Sequence, residues 1–290
     1  NGDQNGALNL PPMPKVVTAA ELEKMSFPDP VWLVPGLIPE GVTLLAGKPK
    51  MGKSYMALNM ALAIACGGVA LGKVNVSKAG VLYLALEDRH RRLRDRIEQL
   101  LPQAGWPDSL HFCTEGPRID QGGIPLLQMY LEKHPDIKVL VVDVLKKLKS
   151  RQKSRNSNAY DDDYEAMEPL MVLTQAHNIS IIALTHTRKA VADDPIDEIS
   201  GSTGLSGSAD TICVLKREKG KALLYVRGRD VQEQELALQR DPEGGWTLLG
   251  ESSDLKTSPA QEEVLDALRR LGGEARLQEL TSLLCKDKNS

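Results

Sequence analysis

Short runs of apolar residues alternate along this chain with longer stretches of mixed character, and the alternation predicts most of its elements. Val42–Ala46, Val81–Leu86, Val139–Val142 and Ile179–Leu184 are nearly continuous in apolar residues. Strands buried on both faces read this way, whereas a strand with one wet face alternates. Between them lie Ser54–Cys66, Arg89–Leu101 and a stretch up to His177, each long enough for a crossover helix. Strand and helix in turn predict a parallel sheet covered on both sides. Pro169 falls inside the third stretch, so that helix either starts there or kinks.

Beyond Ala209 the texture changes. Asp210–Leu215, Ala222–Arg227, Glu235–Leu238 and Trp246–Leu249 are strand-like and joined by short turns such as Asp241-Pro-Glu-Gly-Gly245. They predict an antiparallel meander that extends the sheet. The expected class is α/β, a mostly parallel sheet with helices on both faces and a C-terminal antiparallel extension.

The ends read differently. Residues 1 to about 16 are rich in Gly, Asn and Pro and are expected to be flexible. Thr18-Ala-Ala-Glu21 is a capping-box pattern and predicts a short helix over 19–25. Ser258-Pro-Ala-Gln261 opens another helix, with Val264, Leu265, Leu268 and Leu271 on its apolar face and Gly272-Gly273 to stop it. Leu277–Leu284 would follow as a second helix. The expected division is an N-terminal segment, 1–30, a core domain, 31–252, and a helical element, 253–290. The last is either an incomplete winged helix or only a helical hairpin.

Composition narrows the class. Of 290 residues, 41% are hydrophobic and 26% charged, an ordinary globular mix. The net charge of −3 gives no global basic field, so any nucleic-acid contact must come from local patches. Cys66, Cys113, Cys213 and Cys285 are far apart with no CxxC pair, which argues against zinc or a disulfide framework and fits a reducing cytoplasm. No apolar run approaches the roughly 20 residues that span a bilayer. The leader NGDQNG is polar and does not resemble a signal peptide.

Candidate chemistry begins at Gly47-Lys48-Pro49-Lys50-Met51-Gly52-Lys53-Ser54, a complete GxxxxGK[ST] pattern followed by Tyr55. It follows an apolar strand and precedes a helix, the context such a phosphate loop requires. Glycines let backbone N–H groups wrap an anion at the helix N-terminus, and Lys53 would bridge the β- and γ-phosphates of ATP. Ser54 would offer its hydroxyl to Mg²⁺. Asp143, ending the strand from Val139, would orient that ion. Glu87 and Asp88 end the strand from Val81. Glu87 would polarise the attacking water and Asp88 would cap the helix starting at Arg89, although both carboxylates could serve only the helix end.

With GKPKMGKS, VLYLALED, VLVVD, ALTHTRK and GSTGLSGSADT in this order, the chain resembles the RecA-like ATPases of the plasmid RepA helicase group. More broadly it resembles the DnaB, RadA and KaiC relatives. The resemblance covers about residues 30–250. It implies a catalytic glutamate at Glu87 and a γ-phosphate sensor at His186. It implies an arginine finger, reaching a neighbouring subunit's nucleotide, at Arg229, with Arg227 as a second basic residue. The residues alone also allow His186 as a hydrogen-bonded strand end, and Arg227 and Arg229 as one solvent-facing strand, with Asp230 pairing one of them.

Lys146, Lys147, Lys149, Arg151, Lys153 and Arg155 follow the Asp143 strand closely. In the family this loop and the next, here Thr187–Gly204 with Arg188 and Lys189 at its base, point into a ring's channel. A basic loop suits sequence-independent contact with single-stranded DNA. Asp161–Asp163 can neutralise part of that field, and Tyr160 and Tyr164 are the stacking candidates nearby. The expectation is a homo-oligomeric, hexameric ring that uses ATP to move along single-stranded DNA. A recombinase-like or regulatory ATPase that switches conformation without unwinding, or a nucleotide-sensing scaffold, stays open.

Overall fold

The computed structural model describes residues 16–27, 29–102, 105–150, 159–188, 192–199, 203–218, 220–253, 264, 267–268, 270–271 and 274–281. The chain forms two compact units, residues 1–30 and 31–290.

In the first unit the capping box forms as the sequence predicts. The Glu21 N–H donates to Thr18 Oγ1 at 3.2 Å, and the Thr18 N–H donates to Glu21 Oε2 at 2.7 Å. The helix α1 is shorter than expected, Ala19–Leu22, and none of its residues is buried. A helix without a packed face has only its caps to hold it, which accounts for its single turn.

The second unit opens with a hairpin, β1 (Trp32–Val34) against β2 (Ile38–Pro39). Then come β3 (Val42–Gly47), α2 (Lys53–Cys66) and a small pair, β4 (Val69–Ala70) with β5 (Val74–Asn75). Next are β6 (Gly80–Ala85), α3 (His90–Leu100), β7 (Leu110–Cys113), α4 (Gly123–Lys133) and β8 (Ile137–Asp143). The chain continues with α5 (Leu145–Leu148), α6 (Ala159–His177), β9 (Ser180–Leu184) and α7 (Thr203–Ser208). It closes the sheet with β10 (Thr211–Glu218), β11 (Lys221–Gly228), β12 (Gln234–Arg240) and β13 (Trp246–Glu251). Among the described residues nine strands form one sheet in the order β13-β12-β11-β10-β3-β9-β8-β6-β7. From β10 to β7 all neighbours are parallel, and β10 to β13 form the expected antiparallel meander.

Successive side chains of the central strands go to opposite faces, so one sheet serves two cores. Leu45, Val81, Tyr83, Val139, Val141 and Ile182 pack with α2 and α3. Leu44, Leu82, Leu84, Leu140, Val142 and Ile181 pack with Leu127 and Leu131 of α4 and with Met167, Leu170 and Leu173 of α6. Two-sided burial is why these strands carry no polar alternation.

Two sequence expectations need correction, and an open alternative is decided. Helix α6 does not start at Pro169 but runs through it from Ala159. Buried Ala166, Met167, Leu170 and Leu173 continue one face across the proline, and that burial offsets the missing hydrogen bond, about 3 kcal/mol. The crossover between β6 and β8 contains β7 and α4, which the hydrophobic pattern did not reveal. Strand β7 is only partly buried at the sheet edge, and α4 begins Gly-Ile-Pro, so both carry weak signals. Asp88 does not cap α3; that position belongs to Arg89, which makes no side-chain cap.

Residues 277–281 are helical, as are 264, 267–268 and 270. Ser258–Gln261, Leu265 and Gly272-Gly273 lie outside the described residues. No helix among the described residues is long and apolar enough to cross a membrane.

Candidate active site

Strand β3 ends in the loop 47–52, and α2 starts at Lys53. Sterics require glycine at both ends of this loop. A Cβ on Gly47 would lie 2.7 Å from the Leu215 carbonyl oxygen, and one on Gly52 would lie 2.9 Å from the Trp246 ring. Gly52 also has a φ of 99°, which glycine adopts without penalty. Trp246, buried on β13, donates from Nε1 to the Gly52 carbonyl at 3.2 Å. The meander thus buttresses the loop from behind.

Lys53 is 5% exposed. Its ammonium donates to the carbonyls of Gly47 at 2.7 Å and Lys48 at 3.1 Å, and lies 3.3 Å from His186 Nδ1. Burial pulls its pKa down to about 8, against the opposing pull of Asp143 and Glu87. Burial, and then Lys53, also lower the pKa of His186. A neutral ring accepting at Nδ1 carries its proton on Nε2.

Asp143 ends β8 and is 6% exposed. The hydroxyl of Tyr83, on the neighbouring strand, donates to its Oδ2 at 2.9 Å, and the Ser54 side chain also hydrogen-bonds it. Burial raises the pKa of Asp143, and the two hydroxyls partly reverse this. The Tyr83 hydroxyl is itself held protonated, by burial first and by the adjacent carboxylate second.

These groups surround one cleft of about 540 Å³, lined also by Pro49, Lys50, Gly52, Tyr55, Glu87, Asp88, Arg92, Arg96 and Arg240. Met51 packs beside it on the core. The phosphate loop, Glu87, Asp143 and His186 all lie at the C-terminal ends of parallel strands, where an open α/β sheet places ligands. Strands β3, β6, β8 and β9 lie within one half of the sheet, so residues 47, 87, 143 and 186 converge despite their separation in sequence.

Arg92, Arg96, Arg240 and Tyr83 stand at this site without having been singled out in the sequence. Asp88 pairs with Arg92 at 3.1 Å and with Arg96. The spacing of 88, 92 and 96 on one helical face was a readable signal. Arg96 and Arg240 lie over the Tyr55 ring at 4.9 and 4.8 Å from its centroid. Arg240 and Tyr83 had no such signal, since only strand pairing carries them to the site.

Arg227 and Arg229 do not line this cleft. Arg227 binds Asp194 at 2.7 Å, Glu233 at 2.9 Å and the Tyr225 hydroxyl at 2.9 Å. Arg229, just past the end of β11, pairs with Asp210 at 3.2 Å. Asp230, the partner the sequence offered, belongs to neither pair; carboxylates from other elements take that place. Lys146 and Lys147 are exposed on α5, whereas Lys149 pairs with Asp163 at 2.5 Å. Arg118 fixes α5 by donating to the carbonyls of Lys146 and Lys149. Arg188 is exposed. Arg151, Lys153, Arg155 and Lys189 lie outside the described residues.

A lysine held by a glycine loop, with acidic residues on adjacent strand ends of this sheet, defines a P-loop ATPase of RecA-like fold. A KaiC-like protein from Pyrococcus horikoshii OT3 shares the fold with a TM-score of 0.53 and 15% identity, covering 74% of this chain and 93% of that one. A DnaB-like replicative helicase aligns with a TM-score of 0.56, again 15% identical, over 71% of this chain and 58% of that one. Residues 7–192, more than half of the sequence, match the family model described as AAA domain, and the chain belongs to that family. The DNA repair protein RadA of Campylobacter jejuni is 26% identical over 196 residues; these are 67% of this chain but only 37% of that protein.

Proposed function

We propose that this protein hydrolyses ATP and couples the reaction to movement along single-stranded DNA as a homo-oligomeric, hexameric ring. The observation that carries the reading is the meeting of Lys53, Ser54, Glu87, Asp143 and His186 in one cleft. The triphosphate lies along the loop amides, and Lys53 leaves its two carbonyls to bridge the β- and γ-phosphates. Glu87 accepts the proton of the water whose oxygen attacks the γ-phosphorus, and the bond to the β-phosphate oxygen breaks to release ADP. His186 senses the γ-phosphate through its Nε2–H.

A Mg²⁺ ion fits this donor set, because the Ser54 hydroxyl and the Asp143 carboxylate already face each other across a hydrogen bond. Ser54 and Asp143 would hold it, and when bound it supplies positive charge to the phosphate oxygens. Tyr83 keeps Asp143 oriented and charged for that role.

Arg229, with Arg227 behind it, serves a neighbouring subunit's nucleotide; their position outside their own cleft supports action in trans. Lys146 and Lys147 touch DNA phosphates, with Arg151, Lys153, Arg155, Arg188 and Lys189 as further contacts. In this reading residues 31–252 are the motor, 1–30 an assembly segment and 253–290 an accessory helical element. A cytoplasmic location suits such a substrate.

The decisive experiment measures ATPase rate with and without single-stranded DNA, alongside assembly mass with nucleotide bound. Stimulation by DNA in a ring-sized assembly supports the reading; a monomer indifferent to DNA defeats it. A second reading is a recombinase-like or regulatory ATPase that switches conformation without unwinding DNA, and the match to a DNA repair protein is compatible with it. Strand displacement separates the two.

A further inference from the structure

We propose that Tyr160 and Tyr164 form a slot that takes one base of a single-stranded nucleic acid, so that this protein grips bases as well as phosphates. The proposal rests on the DNA-linked reading above and names the chemistry of the grip. The two rings stand one helical turn apart on α6, with 12° between their planes and 6.5 Å between their centroids. Stacked bases rise about 3.4 Å each. A base between two parallel rings therefore needs about 7 Å between their planes, and the centroids of this pair stand 6.5 Å apart.

The rings are not part of the core. Among the described side chains of α6 the buried ones are Ala166, Met167, Leu170 and Leu173, whereas Tyr160 and Tyr164 keep 47% and 44% of their surface exposed. Their surroundings supply the other half of a strand-binding site. Lys149 pairs with Asp163, between the two tyrosines in sequence, and so ties the first turns of α6 to α5. Helix α5 presents exposed Lys146 and Lys147, and Arg118 holds its C-terminal carbonyls. Asp161 and Glu165 are exposed beside the rings and disfavour a phosphate directly over them. The phosphates then run past Lys146 and Lys147 while a base turns into the slot. Stacking is sequence-tolerant because every base has a π-face, so the expected ligand is any single strand.

The test compares two labelled oligonucleotides of equal length and charge by fluorescence anisotropy at fixed salt: oligo-thymidylate and an abasic analogue. The full chain should bind the base-bearing strand at least about tenfold more tightly. The Tyr160→Ala, Tyr164→Ala double variant should lose that preference while binding the abasic strand as before. The corresponding double Phe variant should retain it, because the rings remain. Equal binding of both strands by the unaltered chain overturns the slot but leaves the DNA reading standing, as does an alanine variant that keeps the preference. Binding of neither strand overturns the DNA reading and the slot with it.

Discussion

Tyr83 donates its hydroxyl to the buried carboxylate of Asp143 at 2.9 Å across two adjacent parallel strands. The bond opposes the cost of burying that charge, which otherwise drives the Asp143 pKa up. Tyr83→Phe removes the donor and leaves the ring. A hydrogen bond to a charged group is worth about 1.5–3 kcal/mol, so its loss should raise the Asp143 pKa further. The acid limb of the kcat/KM profile should move upward in pH, and half-saturating Mg²⁺ should increase. An unmoved limb would show that Asp143 does not titrate in the reaction.

Lys53 leads to a prediction at the alkaline side. Its pKa of about 8 in the free protein means that the ammonium is lost as pH rises through that value. A bound triphosphate restores the charge, so binding above about pH 8 takes up a proton. Affinity for a non-hydrolysable ATP analogue should be flat below that pH and fall above it, by at most about tenfold per pH unit. Calorimetry in two buffers of different ionisation heat measures the proton uptake directly.

Glu87→Gln keeps the size of the side chain and removes the base. Turnover should fall by about 10²–10⁴-fold with ATP binding retained. Preserved turnover would refute the assigned role.

Trp246 supports the phosphate loop from the far edge of the sheet. Trp246→Phe loses one hydrogen bond to Gly52, worth about 1 kcal/mol, whereas Trp246→Ala also empties a core position and should cost about 3–5 kcal/mol. Denaturant unfolding should give that order. Nucleotide affinity should weaken in both variants, because the Gly52 carbonyl loses its anchor.

Arg229→Ala should lower turnover by about 10³-fold or more if the guanidinium reaches the nucleotide of another subunit. Mixing this variant with Glu87→Gln should then restore part of the activity, since each mixed interface can hold one intact set of groups. No recovery at any ratio would place Arg229 outside the reaction.

Much of the molecule was legible because its signals are local. Two-sided burial makes β3, β6, β8 and β9 continuous in apolar residues, and the glycine-lysine loop needs its residues at fixed neighbouring positions. The capping box of α1 is likewise complete within four residues. The partly buried edge strand β7 and the proline-opened helix α4 lacked such signals. The fates of Arg227 and Arg229 were equally hidden, because their partners Asp194, Glu233 and Asp210 come from other elements.

The sequence by itself determined the main alternation of strands and helices outside β7 and α4, the phosphate loop and the acidic strand ends, since each depends on residues within a few positions of one another. Only the tertiary structure decided that Tyr83 would hold Asp143, that Trp246 and Arg240 would stand behind the loop, and that Lys53 would lie against His186. Those relations are set by strand order and register, which bring together residues far apart in the chain through hydrogen bonding and burial that no local pattern encodes.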